Sequence, residues 1–339
     1  MKRPTQADVA RLANVSRATV SYVLNEQKGL HIPISEQTRQ RVFDAVKELE
    51  YEPDARARAL RLGNTKIIGI LVPDLKNPHF WQIICGIESM AHRSGYDLLI
   101  SHSALNQKEE DNCIKSLSHR RIDGLILLPS FTPISQGAVA KLIQSRHPVV
   151  DIGEFDSPFD CVISNYEEGT RDIMTHLLGL GHTCIGFIYG VADKKIGYDR
   201  LIPYRNALKE AGLQSYSNLI YYCGTTIEDG YKAAKHLLCR LPRPTALIVI
   251  NDLLAIGTIR AARDMEIRIP KDLSIAGFDD IPFSNYLSPR LTTVHRDTEK
   301  CGELAVELLL NRFKNPEIAK QAKRLPSYLI IRESTGPPP

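Results

Sequence analysis

Residues 5–25, TQADVARLANVSRATVSYVLN, predict two short helices joined by a tight turn. Thr5 followed by Asp8 is typical of a helix N-terminus, and Ser16 can begin the second helix in the same way. In each predicted helix the apolar side chains recur at spacings of three and four residues, which places them on one face. These inward-facing residues are Val9, Leu12 and Ala13 on the first helix, and Val20, Val23 and Leu24 on the second.

A third helix is predicted to begin at Ser35 and to bury Val42, Val46 and Leu49. Three short helices of this kind form either an ordinary bundle with one polar face or a helix-turn-helix. In the second case the second helix lies in the major groove of DNA, with its N-terminal residues at the base edges.

The side chains of the second helix suit DNA recognition. Arg17 can donate two hydrogen bonds to guanine, and Ala18 can contact a thymine methyl group. We therefore interpret residues 1–50 as a DNA-binding domain. The DNA contacts predicted within it are Thr5, Ser16, Arg17, Ala18, Thr19, Ser21, Tyr22, Asn25, Ser35 and Thr38.

The distribution of charge agrees with this interpretation. The chain has 339 residues and a formal net charge of +4. Residues 1–62 hold 11 Lys and Arg against 8 Asp and Glu, so this fifth of the chain carries most of the excess. A small basic module on a nearly neutral body is compatible with nucleic acid, although the same excess is also compatible with a solvated face.

The N-terminal segment resembles the start of the LacI/GalR (lac-repressor-type) transcription regulators. The positions that carry the resemblance are Asp8-Val9-Ala10, Ala13, Val15-Ser16, Thr19-Val20-Ser21 and Val23-Leu24-Asn25. Two features depart from the family: Tyr22 stands where an arginine or another base reader is common, and the loop Glu26–Ile34 is longer than usual.

Residues 51–64 are interpreted as a hinge. Pro53 and Asp54 suit a first helical turn, but the segment ARARALR is only about two turns long, and such a helix is marginal alone in water. The residues by themselves are also compatible with a plain charged linker helix. The resemblance implies that two copies of the hinge helix pair in the DNA minor groove. It also implies that Leu60 opens the central base step and that Ala57 packs close to the groove. Asp54, Ala57 and Leu60 complete the predicted DNA contacts.

From residue 65 onward, apolar runs alternate with amphipathic stretches, which predicts parallel sheets in a doubly wound α/β fold. The predicted strands are Ile67–Val72, Leu98–Ile100, Gly124–Leu128, Val149–Ile152, Ile185–Tyr189, Ala246–Ile250 and Ser274–Phe278. The resemblance implies a two-lobed body like the type I periplasmic binding proteins, with three crossovers between the lobes. The first lobe would be about 65–164 plus 296–332, and the second about 165–295. The helix 297–313 and the strand Tyr328–Ile331 would return to the first lobe.

Polar residues that follow the predicted strands form a candidate effector site, because ligands of open α/β sheets bind beyond the carboxyl ends of the strands. These residues also fit the pocket motifs of the family, and they suit a sugar-like polyol that both donates and accepts hydrogen bonds. Asp279 and Asp280 are also compatible with simple loop or cap roles. Pro203, in place of a usual glycine, and His79, in place of an aromatic residue, depart from the family. The predicted effector contacts are Asp74, Phe80, Ser130, Asp151, Arg200, Asn251 and Asp279.

Other classes of protein are disfavoured. No run of residues approaches a membrane span, the seven cysteines form no C-x-x-C pair, and no catalytic or nucleotide-binding motif occurs. We therefore expect no enzyme activity, no metal and no cofactor, and a location in the cytoplasm.

The sequence predicts a repressor that binds pseudo-palindromic operator DNA as a homodimer and is released by a sugar-like effector. A corepressor-dependent regulator with a nucleoside or purine ligand is the first alternative. A sugar-binding module or sugar enzyme without DNA function is the second. Since no leucine heptad follows the last predicted strand, we expect a dimer and not a tetramer.

Overall fold

The computed structural model describes residues 4–25, 34–51, 64–129, 135–145, 147–153, 157–189 and 198–339. The predicted hinge contacts Asp54, Ala57 and Leu60, the effector contact Ser130 and residues 26–33 of the long loop lie outside the described residues. The chain divides into two compact units, Met1–Thr65 and Lys66–Pro339.

In its described residues, the first unit contains three helices, α1 (Gln6–Leu12), α2 (Arg17–Asn25) and α3 (Glu36–Glu48). The turn between α1 and α2 passes through Asn14, whose φ of 52° is a left-handed conformation that asparagine tolerates. Three side chains anchor the helix starts. The Thr5 hydroxyl donates to Asp8 at 2.7 Å, and the hydroxyls of Ser16 and Ser35 accept the backbone N–H of Thr19 and Thr38 at 3.0 and 3.2 Å.

The core of the first unit differs from the prediction at one position. Leu12 is 45% exposed and does not lie in the core, whereas Ala10 is buried. The reason is that α1 ends at Leu12 and the chain turns there, so the inward face comprises Val9, Ala10 and Ala13. The remaining core residues are Val20, Val23, Val42 and Ala45.

The second unit contains two six-stranded sheets, which confirms the predicted two-lobed α/β body. The strands are β1 (Ile67–Val72), β2 (Asp97–His102), β3 (Gly124–Leu127), β4 (Val149–Gly153), β5 (Asp160–Ser164), β6 (Ile185–Tyr189), β7 (Ile220–Tyr222), β8 (Ala246–Val249), β9 (Ser274–Phe278), β10 (Thr292–Arg296), β11 (Ala322–Leu325) and β12 (Ser327–Ile330). The first sheet has the order β11-β5-β4-β3-β1-β2, and the second has the order β12-β10-β9-β8-β6-β7. All the pairings are parallel except β10 with β12.

Helices cover the sheets and bury their apolar strands. They are α4 (Pro78–Arg93), α5 (Gln107–His119), α6 (Gln136–Ser145), α7 (Tyr166–Gly179), α8 (Tyr198–Glu210), α9 (Ile227–Leu238), α10 (Asp252–Asp264) and α11 (Thr298–Lys314). On the first sheet, α4 and α11 pack against one face and α5 and α6 against the other. The helices α7 to α10 pack in the core of the second lobe. Within the described ranges, no helix combines the length and the apolar character that a membrane span requires.

The end of the chain corrects one prediction. The helix after residue 297 returns to the first lobe, as predicted. The predicted strand Tyr328–Ile331 does not, because β12, which covers most of it, lies in the second sheet and pairs with β10. The strand that completes the first sheet is β11, parallel to β5. Its residues AKRL are largely exposed at the edge of the sheet, so they show no apolar run that the sequence could reveal.

An ion pair between a buried carboxylate and a partly exposed arginine fixes the return of the chain to the first sheet. The guanidinium group of Arg312 on α11 donates to both carboxylate oxygens of Asp160 at the start of β5, at 2.7 and 2.9 Å. It also donates to the carbonyl oxygens of Pro316 and Ile318, in the loop between α11 and β11. This one side chain therefore ties a strand, a helix and a loop together.

The chain end itself is held inside the second lobe. Ser334 is fully buried, and its hydroxyl donates to the carbonyl oxygen of Ile275 on β9 at 2.6 Å. The ring of His182 contacts the hydroxyls of Thr245 and Ser274 and the carbonyl oxygen of Gly336 at 2.8–3.0 Å. His182 therefore has a structural role.

Two helix pairs cross at glycines. Gly302 of α11 lies against Ile83 and Ile87 of α4, and Gly86 of α4 lies against the backbone of Glu299. In the second lobe, α9 and α10 meet in the same reciprocal way at Gly230 and Gly257. The absence of a Cβ atom lets each pair of backbones approach closely.

Replacing Gly302 with alanine should destabilise the second unit by about 1–3 kcal/mol, as overpacking does elsewhere. The new Cβ atom would overlap the carbonyl oxygen of Ile83 and lie 2.7 Å from the backbone nitrogen of Ile87. Urea unfolding measures the loss. The matched control is Gly179→Ala, where no atom lies within 4 Å of the added Cβ atom, and its free energy of unfolding should not fall. An equal loss in both variants would contradict the close-approach explanation.

Candidate DNA interface and effector site

The predicted recognition helix presents its N-terminal turn to solvent. Ser16, Arg17 and Ala18 are exposed, and Thr19 is half-buried. Val20 and Val23 hold the opposite face in the core. The exposed positions are the ones that the sequence assigned to base and phosphate contacts. Of the other predicted contacts, Thr5 and Ser35 are exposed, Ser21, Tyr22 and Thr38 are half-buried, and the Asn25 side chain lies outside the described residues.

The serines at the starts of α2 and α3 cap their helices and keep hydrogen-bonding capacity. Each hydroxyl accepts a backbone N–H within its own helix, and a hydroxyl group has one proton and two lone pairs. Exposed N-terminal amides, hydroxyls and the positive end of the helix dipole favour an anion such as a DNA phosphate.

The second candidate site lies where the two lobes of the body meet. His79, in the first turn of α4, comes from the first lobe. From the second lobe come Asp279, directly after β9, Arg296 at the end of β10, and Arg200 in the first turn of α8. All four side chains are buried, with relative exposures of 2–6%. Charged side chains buried at such strand ends are typical of a binding site.

His79 connects the two lobes. Its Nε2 atom accepts a hydrogen bond from Arg296, since arginine can only donate. In a neutral ring the proton is then on Nδ1, which lies 3.6 Å from Oδ1 of Asp279. Burial, together with the charges of Arg296 and Arg200, holds the pKa of His79 well below its ordinary value. The ring is therefore neutral at physiological pH, and its contact with Asp279 is dipolar and not an ion pair.

Both arginines stack on the same aromatic ring. The guanidinium carbons of Arg200 and Arg296 lie 3.6 and 4.8 Å from the centroid of Tyr166, at the start of α7. Arg200 also lies 5.2 Å from the ring of Phe278. Cation–π contacts of this kind stabilise buried guanidinium groups and fix their planes.

Asp279 has a rare backbone conformation and a carboxyl group with a raised pKa. Its φ of 104° is rare for any residue with a side chain, and backbone strain of this kind concentrates at functional sites. Burial raises the pKa of its carboxyl group to about 6, although Arg296 and Arg200 oppose the shift. The group is therefore mostly ionised at pH 7 and ready to accept hydrogen bonds from a ligand.

Asp252, the first residue of α10, holds the loop that carries Asp279. It is fully buried and accepts hydrogen bonds from the Ser284 and Thr293 hydroxyls at 2.6 and 2.7 Å. The backbone N–H of Ile281 donates to it at 3.0 Å. Burial, and next the charge of Asp279, raise the pKa of Asp252 well above its ordinary value. Asp252 is a positioning residue for the strained loop.

Asp280 points away from this cluster. Its carboxylate accepts hydrogen bonds from His295 at 2.8 Å and from Arg332 at 2.6 Å. Although burial opposes the effect, these two donors hold the pKa of Asp280 below its ordinary value. Asp279 and Asp280 therefore do not form a catalytic pair of carboxylates.

The other predicted effector contacts do not all belong to the buried cluster around His79 and Asp279. Phe80 is buried in the first-lobe core, with its ring edge-to-face against His79 at 5.3 Å. Asn251 caps α10, accepting the Leu254 N–H at 2.8 Å and donating to the Thr225 carbonyl at 3.3 Å, so its amide is engaged within the second lobe. Asp74 accepts the N–H of Lys76 at 2.8 Å.

Asp151 lies in β4. Nearby, Glu110 of α5 is buried, and burial, followed by the charges of Asp111 and Asp151, raises its pKa to about 7. The structure therefore brings Phe80, Arg200 and Asp279 together through His79, and it places Asp151 near Glu110. No group of three or more His, Cys, Asp or Glu side chains suited to a metal occurs in the part of the chain that is described.

The predicted effector contacts omitted four residues of this site: Arg296, Tyr166, Asp252 and His79, which the sequence marked only as a departure from the family. Arg296 ends a strand, TTVHR, that mixes polar and apolar residues and gives no continuous apolar run. Tyr166 follows the short strand β5, which the sequence also did not reveal. Asp252 adjoins Asn251, so the strand-end rule that found Asn251 could have found it too.

Comparison with known proteins accounts for both units. The family model for bacterial regulatory proteins of the lacI family matches residues 5–54. The family model for the periplasmic binding protein-like domain matches residues 174–335. The HTH-type transcriptional repressor PurR of Klebsiella pneumoniae (strain 342) is 34% identical over 99% of this chain and 98% of the relative. The chain belongs to the lacI family of bacterial regulatory proteins.

Other lacI-family proteins agree with the assignment. PurR of Aliivibrio salmonicida is 34% identical over 97% of this chain and 98% of its own. The lac repressor dimer bound to operator and the anti-inducer ONPF has a TM-score of 0.86 and 27% identity, covering 99% of this chain and 100% of that one. A transcriptional regulator CelR–cellobiose complex has a TM-score of 0.72 and 28% identity, with coverages of 98% and 100%.

Membership of the lacI family establishes the broad function. The protein is a ligand-responsive, DNA-binding transcriptional repressor and not an enzyme. The fold class predicted from the sequence, a helix-turn-helix domain joined to a periplasmic-binding-protein-like body, is confirmed.

Proposed function

We propose that this lacI-family repressor reads its operator through Arg17 and the exposed start of α2 and binds its effector between the lobes at Arg200 and Asp279. The observation that carries the proposal is the buried cluster of His79, Asp279 and two arginines, which joins side chains from both lobes. A ligand that enters there contacts both lobes at once. It therefore has different affinities for different lobe arrangements, which is the requirement for an allosteric switch.

The protein acts as a homodimer in the cytoplasm. Two copies present two recognition helices about one DNA turn, or roughly 34 Å, apart on a pseudo-palindromic site. The lac repressor structure that this chain resembles is described as a dimer on its operator, which supports this arrangement. The residues of the hinge and the remaining predicted contacts complete the interface.

Two kinds of effector are candidates, and they differ in sign. A sugar-like inducer that lowers operator affinity is supported by the CelR relative, which is described as a complex with cellobiose. A purine corepressor that raises operator affinity is supported by the PurR relatives, at 34% identity. The ionised carboxylate of Asp279 and the guanidinium group of Arg200 suit the hydroxyls of the first and the ring N–H and carbonyl groups of the second.

Selection of bound DNA from a random duplex library, followed by a mobility-shift titration with sugars and purines, tests the proposal. We expect one duplex sequence to be enriched with two-fold symmetry, and one compound class to change its affinity. Equal affinity for all duplexes would overturn the DNA assignment. A selected operator that responds to neither class would overturn the effector assignment.

Arg17→Ala should weaken operator binding by about 1–3 kcal/mol and relax the choice of base at one position of each half-site. The reason is that Arg17 is exposed at the N-terminal turn of α2, where a bidentate contact with guanine is geometrically accessible. A competition assay with single-base operator variants measures the effect. Arg11→Ala is the matched control, because Arg11 is exposed on α1 and pairs with Asp8. An unchanged base preference in Arg17→Ala would contradict the assignment.

Effector affinity should fall as the pH falls below about 6, the pKa of Asp279. A carboxylate that accepts hydrogen bonds from the effector must be ionised, so affinity is constant above this pKa and decreases by up to about tenfold per pH unit below it. The groups that face Asp279 are His79, Arg200, Arg296 and Asp252, and burial, together with the charges of the two arginines, holds the pKa of His79 well below its ordinary value.

Isothermal titration between pH 5 and 8 measures this dependence. Glu110→Gln is the control, because it removes a carboxyl group outside the cluster whose pKa is also raised, to about 7, and it should leave the step near pH 6 in place. Affinity that stays constant down to pH 5 would contradict a role for ionised Asp279.

A further inference from the structure

The first sheet carries a group of basic side chains at the amino ends of its strands. Because β1 to β5 are parallel, they begin at one edge of the sheet, and the helices that connect them end at that same edge. Helices α5 and α6 both end there, ahead of β3 and β4. Five exposed residues of this region form the basic edge: Lys115, His119, Arg120, Arg121 and Lys141.

Side chains from both helices line one open cavity at the basic edge. Lys115 and His119 of α5 and Lys141 and Gln144 of α6 surround a volume of about 290 Å³, together with two serines. None of the six lining residues is acidic. The two lysines therefore direct their charges to the same small region of the surface, although 26 residues separate them in the sequence.

The charges of these lysines are not neutralised within the protein. Within the described ranges, neither Lys115 nor Lys141 forms an ion pair or a side-chain hydrogen bond. The carboxylate of Asp111, one helical turn before Lys115, instead accepts the hydroxyl of Ser135 at 2.8 Å. The positive potential of the cavity is thus available to an anion from outside the protein.

The chain from the DNA-binding unit joins the body beside the basic edge. The boundary between the two units lies at Thr65–Lys66, directly before β1. Asp123, two residues after Arg121, accepts the backbone N–H of Lys66 at 2.9 Å and donates its own N–H to the carbonyl oxygen of Ile67 at 2.8 Å. DNA held by the first unit is therefore tethered to the body at this edge, and a tether raises the effective concentration for a second contact.

We propose that the basic edge of the body binds the phosphate backbone of the same duplex that the helix-turn-helix unit reads. Lysine suits this contact, because it binds phosphate as a point charge and needs no bidentate geometry. Backbone contacts of this kind add affinity but carry no base information. The inference therefore goes beyond the base reading proposed for α2, and neither depends on the other.

Basic residues near the C-terminal ends of helices also stabilise the helix dipole. That role alone predicts a change in the stability of the first lobe and none in DNA affinity. Contact with phosphate predicts a change in the salt dependence of DNA binding, because each neutralised phosphate releases condensed counterions. The salt dependence of binding therefore separates the two roles.

Fluorescence anisotropy with the full chain and a mixed-sequence duplex of about 40 base pairs tests the proposal, at salt concentrations of about 50–200 mM. In the double variant Lys115→Gln/Lys141→Gln, the slope of log affinity against log salt concentration should fall in magnitude by about 2, or about 1 for each lost phosphate contact. The affinity at about 100 mM salt should fall by about tenfold or more.

The matched control is Lys209→Gln/Lys271→Gln, which removes the same charge from two exposed positions in the second lobe. Its slope should stay close to that of the unmodified protein, because distant surface charges are screened by salt. Lys115→Arg/Lys141→Arg keeps the charge and should restore both slope and affinity. The proposal is overturned if the two glutamine variants have the same slope, or if the arginine variant loses as much affinity as the glutamine variant.

Acetylation of lysines with an amine-reactive ester, followed by mass spectrometry, locates the contact in the unmodified protein. Bound duplex should slow the acetylation of Lys115 and Lys141 severalfold and leave the rates at Lys209 and Lys271 unchanged. Equal rates with and without DNA would overturn the proposal. Protection by inorganic phosphate but not by the duplex would assign the cavity to a small phosphorylated ligand, and it would also overturn the proposal.

Base preference distinguishes this inference from the proposed function. Lys115→Gln/Lys141→Gln should weaken binding to all duplexes alike and keep the preferred base at each position, whereas Arg17→Ala should change the preference. If the lysine variant lost affinity for one sequence only, its contact would not be with the backbone and the inference would fail. If Arg17→Ala kept the base preference while the lysine variant lowered the slope, the proposed base reading would fail and the backbone contact would stand.

Discussion

Asp279→Asn is expected to abolish the response to the effector and to leave operator affinity unchanged. The substitution keeps the size of the side chain, and asparagine tolerates a positive φ such as the 104° at this position. The substitution removes a charged hydrogen-bond acceptor from a buried site. Losing one partner of such a charged hydrogen bond weakens the binding free energy by about 2–5 kcal/mol.

A mobility-shift titration with and without effector measures both halves of this result. Asp272→Asn is the matched control, since Asp272 lies in the same lobe and pairs with Arg268 at the surface. The control should retain the full response. A folded Asp279→Asn protein that responds normally, or one that loses operator binding, would contradict the assigned role.

Arg312→Met is expected to lower the free energy of unfolding of the body by up to about 3–5 kcal/mol, because it leaves the buried carboxylate of Asp160 without its charged partner. Asp160 is almost fully buried, and without Arg312 its carboxylate keeps the backbone N–H of Gln321, at 2.8 Å, as a donor. The carbonyl oxygens of the loop before β11 lose their donor as well.

Urea unfolding followed by circular dichroism measures this loss. Arg260→Met provides the control, because Arg260 forms an exposed pair with Asp264 one helical turn away, and such pairs contribute less than about 1 kcal/mol. If the two variants were equally stable, Arg312 would be an ordinary surface residue and not the tie between β5, α11 and the loop.

The apolar pattern predicted the central strands well, because strands covered by helices on both faces must be apolar throughout. Ile67–Val72, Ile185–Tyr189 and Ser274–Phe278 have the predicted bounds. Four strands escaped the pattern: β5, β7, β10 and β11. They are short, lie near sheet edges or carry polar residues such as Thr292 and Lys323. The strand Tyr328–Ile331 was assigned to the wrong sheet because the residues of an edge strand do not indicate which strand it pairs with.

The candidate sites were predictable to the extent that they depend on local position. The end of a strand identified Asp279, the resemblance to the pocket motifs of the family identified Arg200, and helix spacing identified the exposed start of α2. The contact of His79 with Arg296 could not be predicted, because 217 residues separate them in the sequence. The stacking of two arginines on Tyr166 likewise depends on how three separate elements meet, and no local pattern encodes it.

Strands β11 and β12 lie near the end of the sequence, and this affects the order in which the units fold during translation. The helix-turn-helix unit has left the ribosome and can fold while the body is still being translated, which takes about 14–55 s at bacterial elongation rates. Neither sheet gains its last strand until residues 322–330 are made. A newly made chain is thus expected to complete its helix-turn-helix unit before it completes either sheet of the body that senses the metabolite.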